Sequence, residues 1–142
     1  MIAELSLATA MVLSTVVIHA LGLYAVARLL RIEEREEAAA HVHPLSARGF
    51  GTTLVVILSL IALHGTEIWL YAFLYHMLGA VEGGLREAVY FSTVTYGAIG
   101  YDDAAMAESW KLVSAIEGIN GIVLIGWSTA FFVMIVARMR RT

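Results

Sequence analysis

Three long apolar runs constrain this chain more than any other feature. The first extends from Leu5 to Leu30 and is broken only by His19 and, near its end, Arg28. The second runs from Thr52 to about Gly79 and carries His64 and Glu67. The third runs from about Leu112 to Ala137 and carries Glu117 and Asn120. At a rise of about 1.5 Å per residue, each run is long enough to cross a hydrocarbon core about 30 Å thick. Lipid offers the backbone no hydrogen bonds, so a spanning segment that satisfies itself internally is a helix. The pattern predicts an all-α membrane protein with three transmembrane helices.

Composition agrees. Of 142 residues, 60% are hydrophobic and 15% charged, with a mean hydropathy of +0.80. Soluble domains carry about 45–50% apolar and about 25% charged residues. Cysteine is absent, which removes disulfides, thiolate metal sites and thiol nucleophiles. The formal net charge of −3 speaks against nucleic acid as a partner and leaves membrane lipid as the surrounding medium. The N-terminus lacks a basic leader and carries Glu4, so the first run reads as a retained helix rather than a cleaved signal. No nucleophile–base pair or phosphate loop is evident, and the sequence predicts no enzyme.

The charged stretch Arg31–Glu37 follows the first run, and Pro44, the chain's single proline, follows that stretch. A helical extension that frays near Pro44 is expected, with a solvated surface and no chemistry. The organisation is therefore an N-terminal span (1–31), a charged connector (32–50) and a second unit (51–142). Arg28, Arg31, Arg35 and Arg48 surround the connector, and Arg138, Arg140 and Arg141 follow the third span. On the other side lie only Arg86 and Lys111. The positive-inside rule puts the connector and C-terminus in the cytoplasm and the N-terminus outside, as for a multi-pass protein of a cell inner membrane.

Between the second and third spans, residues 83–103 are too short and polar to cross. Leu85–Tyr96 nevertheless has helix-forming, apolar content for about three turns, and Gly97-Ala98-Ile99-Gly100-Tyr101-Asp102-Asp103 then breaks it. A half-length helix followed by a glycine-containing irregular strand has the form of a re-entrant loop. Such backbone is tolerated at membrane depth when it is buried in protein or lines a water-filled path.

The run Tyr90-Phe91-Ser92-Thr93-Val94-Thr95-Tyr96-Gly97-Ala98-Ile99-Gly100-Tyr101-Asp102-Asp103 resembles the pore helix and selectivity filter of tetrameric potassium channels. That family's Thr-Val-Gly-Tyr-Gly filter aligns without a gap on Ala98, Ile99, Gly100, Tyr101 and Asp102. Asp103 falls on the acidic residue that usually follows the filter. Trp110 begins the third span where the family's inner helix begins, and Gly118 or Gly121 sits near its hinge glycine. The resemblance covers roughly Thr52 to Arg138, and the first span is an addition. It implies an outer helix (52–79), a pore helix (85–97, with Val94 and Thr95 at its end), a filter (98–102) and an inner helix (110–138). It also implies a homotetramer in which four filter strands replace the hydration of a permeating cation, with no bound cofactor. The negative end of the pore-helix dipole favours that cation.

Three positions depart from the family. Ala98 replaces the threonine whose hydroxyl contributes to the innermost ion site, and Asp102 replaces the last filter glycine. Gly97 also stands where threonine is usual. A potassium-preferring or weakly selective cation pore is the first expectation, with sodium and calcium left open as permeant ions. The alternatives are a divalent-preferring pore through the acidic mouth of Asp102 and Asp103, and a non-conducting accessory subunit.

His64 and Glu67 lie three apart and share a helix face, as do Glu117 and Asn120. Ionisable groups inside a membrane are functional candidates by default. For His64 and Glu67 an interhelical clamp behind the pore helix competes with a proton-sensitive or ion-path pair that takes Glu117 or Asn120 as partner. For Glu117 and Asn120 themselves a structural hydrogen bond to the pore helix or to Glu67 is expected before ion coordination. Gly118 and Gly121 offer either a hinge or a close-approach face. A remote rival is a membrane haem or metal protein using His19, His64 and His76, although His64 and His76 lie at different depths. No structural metal site is expected.

Overall fold

The computed structural model describes residues 1–40, 47–100 and 103–139; Pro44, Tyr101, Asp102, Arg140 and Arg141 lie outside the described residues. Four α-helices carry the fold: α1 (Ile2–Ala40), α2 (Ala47–Leu78), α3 (Leu85–Tyr96) and α4 (Lys111–Met139). Two single 3-10 turns, Asp103–Ala105 and Glu108–Trp110, connect α3 to α4. Three stretches are long and apolar enough to span a membrane: Ile2–Leu30, Gly49–Leu78 and Glu108–Arg138. The protein is a three-span, all-α membrane protein, with α3 as a short helix between the second and third spans.

The faces that meet follow helical periodicity. On α1, Ala8, Met11, Thr15, His19, Leu23 and Leu30 are buried, in steps of three, four or seven that align one stripe. On α4 the corresponding stripe includes Val113, Glu117, Asn120, Leu124 and Ser128. Apolar contacts form two clusters. One gathers Met11, Tyr71, Tyr75, Phe91 and Val113; the other gathers Leu23, Leu30, Val56, Leu60 and Ile135. Between lipid-embedded helices such contacts gain little from excluding water, so close packing and interhelical hydrogen bonds weigh more than in a soluble core. Many of the remaining large apolar side chains, such as Leu13, Leu58, Ile61, Ile122 and Val133, point outward.

The re-entrant path of α3 is closed at its base. α2 ends in a Schellman turn: Gly79, at φ 59°, donates its N–H to His76 O, and Ala80 donates to Tyr75 O at 2.9 Å. Glycine suits that left-handed position because no Cβ opposes it. The chain entering α3 then meets the chain leaving it, where Val81 pairs with Met106 in an isolated antiparallel bridge and Ala107 N–H donates to Ala80 O at 2.9 Å. The chain therefore enters by Val81 and leaves by Met106 side by side, and α3 packs against α2 and α4.

Candidate functional site

α3 buries Ala88, Phe91, Ser92, Thr95 and Tyr96, a stripe at helical spacing. Three of these five are polar, and a polar group out of water needs a partner. Two carboxylates from the flanking spans supply most of the partners. Glu67 of α2 accepts a hydrogen bond from the Tyr96 hydroxyl. Glu117 of α4 accepts from Ser92 Oγ at 2.5 Å and from the Tyr75 hydroxyl at 2.5 Å. Ser92 Oγ also lies 3.0 Å from the Ile68 carbonyl oxygen, so one proton faces two acceptors. Both carboxylates are fully buried. They hold the last two turns of α3 from two sides, and Tyr96 is its final helical residue.

Around Glu67 the bonds form a chain across all four helices. His19 Nδ1 of α1 lies 2.9 Å from Glu67 Oε1, and His19 Nε2 lies 3.2 Å from Ser128 Oγ of α4. His64 Nδ1 is 2.9 Å from the Tyr96 hydroxyl and 3.4 Å from Glu67 Oε2. With Glu67 ionised, the network assigns Nδ1–H to His19, which donates to the carboxylate, and leaves Nε2 to accept from Ser128. The Tyr96 proton goes to Glu67, so His64 Nδ1–H donates to the Tyr96 oxygen. About two turns before Ser128 on α4, Asn120 Nδ2 donates to Thr15 Oγ1 at 2.8 Å and lies 3.4 Å from the Tyr71 hydroxyl.

The pairings differ from the sequence expectations in an instructive way. His64 and Glu67 do share one face and both reach the C-terminal end of α3. Their further partner is His19 of α1, not Glu117 or Asn120. Glu117 reaches α3 through Ser92, one of the two partners expected for it, whereas Asn120 reaches α1 through Thr15. The sequence alone marks Thr15 and Ser128 for no role, Tyr75 only as an interface or packing aromatic, and Tyr96 only as part of the run before Gly97. The signal was present in the polar positions Thr15 and His19, four apart on one face of α1, and in Glu117, Asn120 and Ser128 on one face of α4. His76 is exposed, about 18 Å along α2 from His64 at helical rise, and takes no part.

Beyond Tyr96 the chain turns rather than extends. Ala98 N–H donates to Thr95 O and Ile99 N–H donates to Val94 O, at 3.1 and 3.0 Å, a second Schellman turn. Ala98 holds its left-handed position at φ 52°, where a side chain is normally disfavoured. Ala98, Ile99 and Gly100 are exposed on the surface of the chain; Tyr101 and Asp102 lie outside the described residues. Val94, Thr95, Ala98 and Gly100 line a cavity of about 330 Å³ with Ser114, Gly118 and Ile122 of α4. Thr95 is buried, and its hydroxyl has no hydrogen-bond partner among the described residues.

Gly118 and Gly121 are where α4 receives this turn. α4 runs unbroken through both. A Cβ at Gly121 would overlap the Tyr96 carbonyl, and one at Gly118 would sit 3.4 Å from the Thr95 carbonyl oxygen. The pair therefore acts as a close-approach face in this structure.

A family model described as "Ion channel" matches residues 52–138, which takes in α3 and most of α2 and α4 and leaves α1 outside. No curated protein and no solved structure matches the chain.

Proposed function

From the premise that this chain belongs to the ion-channel family, with a two-span, potassium-channel-like pore domain over residues 52–138, we propose that it is a passive cation channel that prefers potassium or is weakly selective. Four copies of the chain close a ring, each giving one re-entrant segment, and Ala98, Ile99, Gly100, Tyr101 and Asp102 form the filter of backbone carbonyls. The C-terminal end of α3 turns its negative dipole end toward the permeating cation. The working orientation has the N-terminus outside and the C-terminus in the cytoplasm of the inner membrane.

One observation carries this reading. A twelve-residue helix is clamped between two spans by buried carboxylates, and its C-terminal residues open onto a cavity at the exposed face of α4. Holding a helix end there by Glu67 and Glu117 is of little use to a simple scaffold, because each buried carboxylate must be matched by donors to be tolerated. The unpartnered Thr95 hydroxyl on the same cavity supports assembly, since a neighbouring copy can supply its acceptor. Asp102 and Asp103 carry a second reading, a divalent preference from an acidic mouth.

The deciding experiment is bi-ionic current from the purified protein in planar bilayers, potassium opposing sodium and then calcium, with an Asp102→Gly variant beside it. A potassium-directed reversal potential supports the filter as aligned. A calcium-directed potential that disappears in Asp102→Gly supports the acidic mouth. Silence in the native protein with current in the variant identifies a non-conducting subunit, and silence in both, with no tetramer on sizing, removes the channel reading.

A further inference from the structure

Outside the matched pore domain, α1 has its own buried polar residue at a position no pore helix requires. His19 is fully buried among lipid-facing helices, and its imidazole points at Glu67. His64 approaches the same carboxylate from the other side, and the two imidazole rings lie 5.3 Å apart. One ligand atom from each of His19, His64 and Glu67 falls within a sphere in which all pairs are 4.8 Å apart or less.

We propose that His19, His64 and Glu67 form a regulatory binding site for a borderline divalent metal of the zinc class, bridging the added helix to the pore domain. Two imidazole nitrogens and one carboxylate oxygen are the ligand types that zinc takes in three-ligand sites with an open fourth position. Tetrahedral bonds of about 2.0–2.1 Å set ligand atoms about 3.4 Å apart. Side-chain rotation alone is on the scale of the contraction needed. Electrostatics favour the ion as well. With both imidazoles neutral, Glu67 leaves one uncompensated negative charge in a low-dielectric belt, and a dication offsets it. The metal takes the Nδ1 atoms that now bond Glu67 and Tyr96, and each imidazole stays neutral by carrying its proton on Nε2, where that of His19 faces Ser128 Oγ. Of the three ligands only His64 keeps some exposure; His19 and Glu67 have none.

The site sits on the pore-helix anchor. The Tyr96 hydroxyl bonds Glu67 and His64, two of the three proposed ligands. A bound metal competes for those atoms and reseats the last residue of α3, immediately before Ala98. Metal binding itself does not depend on conduction. Only the effect on current rests on the channel reading.

The test is zinc titration of the full-length protein in detergent after chelator treatment, by calorimetry, with cobalt(II) visible absorption as a report of coordination geometry. The native chain is expected to bind one zinc per chain and to give a tetrahedral cobalt spectrum. His64→Gln, at the least buried ligand, is expected to lower affinity by at least about tenfold, since even a second-shell loss has that effect. His19→Gln is expected to do the same, and His76→Ala, on the exposed surface, to bind as the native chain does. Equal binding by the native chain and His64→Gln, or no saturable binding by the native chain, overturns the site. In bilayers, zinc is expected to alter native current and to spare His64→Gln. Zinc binding in a protein that carries no current upholds the site while removing the channel reading; current without zinc binding does the reverse.

Discussion

Replacing Gly121 by alanine tests how α3 is seated on α4. A Cβ there falls on the Tyr96 carbonyl oxygen and within contact of its carbonyl carbon and Cα. The obstacle is backbone, held in turn by the Tyr96 hydroxyl on Glu67, and it has no rotamer into which to withdraw. Gly118→Ala is the matched control, because its Cβ would meet the Thr95 carbonyl oxygen at 3.4 Å, an ordinary contact. Both substitutions gain the same helix propensity, about 1 kcal/mol of alanine over glycine. That gain cancels in the difference, leaving the overpacking penalty at Gly121 of about 1–3 kcal/mol. Thermal unfolding of both variants in one detergent, followed by tryptophan fluorescence, should therefore rank Gly118→Ala at or above the native protein and Gly121→Ala below it. Single-channel recording should show altered conductance for Gly121→Ala. Equal melting of the two variants would refute the claim that α4 and the end of α3 meet backbone to backbone.

Three further outcomes follow from the same geometry. Ala98→Gly relieves a left-handed residue and should stabilise the protein by about 1 kcal/mol, whereas Ala98→Thr places a β-branched residue at φ 52° and should destabilise it by a similar amount. Paired melts check the order, and a stable Ala98→Thr protein would mean that the turn after α3 is not held as described. Tyr96→Phe removes one donor from buried Glu67 and should cost about 1–3 kcal/mol; a double-mutant cycle with His64→Gln should show coupling of about 0.5–3 kcal/mol. Thr95→Val keeps shape and removes the unpartnered hydroxyl. The homotetramer predicts a smaller tetramer fraction by native mass spectrometry, while a fold complete within one chain predicts a gain of about 1 kcal/mol and no change in assembly.

Much of this molecule is legible in one dimension because lipid is a demanding solvent. Three apolar runs of sufficient length leave helices as the solution, and the interruption at residues 83–103 is too polar to be a fourth span. The glycine after α2 marks its end, since a left-handed turn there suits glycine and Gly79 occupies it. The pore-helix resemblance is carried by local sequence, and the family match covers the same stretch. His64 and Glu67 are three apart, so their shared face needs no tertiary knowledge.

What required the tertiary structure was the choice among distant polar partners. Glu67 and Glu117 are alike in sequence: each is an intramembrane carboxylate on a span flanking the re-entrant segment. Which one holds Tyr96 and which holds Ser92 depends on how α2 and α4 are rotated about their axes against α3. His19 is 48 residues from Glu67, and its role depends on where α1 docks. No local periodicity encodes that docking. Nor does the sequence reveal that Ala98, aligned on a filter threonine, occupies a left-handed cap. Sequence determines which residues must leave water or lipid. The assembled helices decide who answers them, because in a membrane a buried polar group takes its partner from whichever neighbouring helix brings one within hydrogen-bond reach.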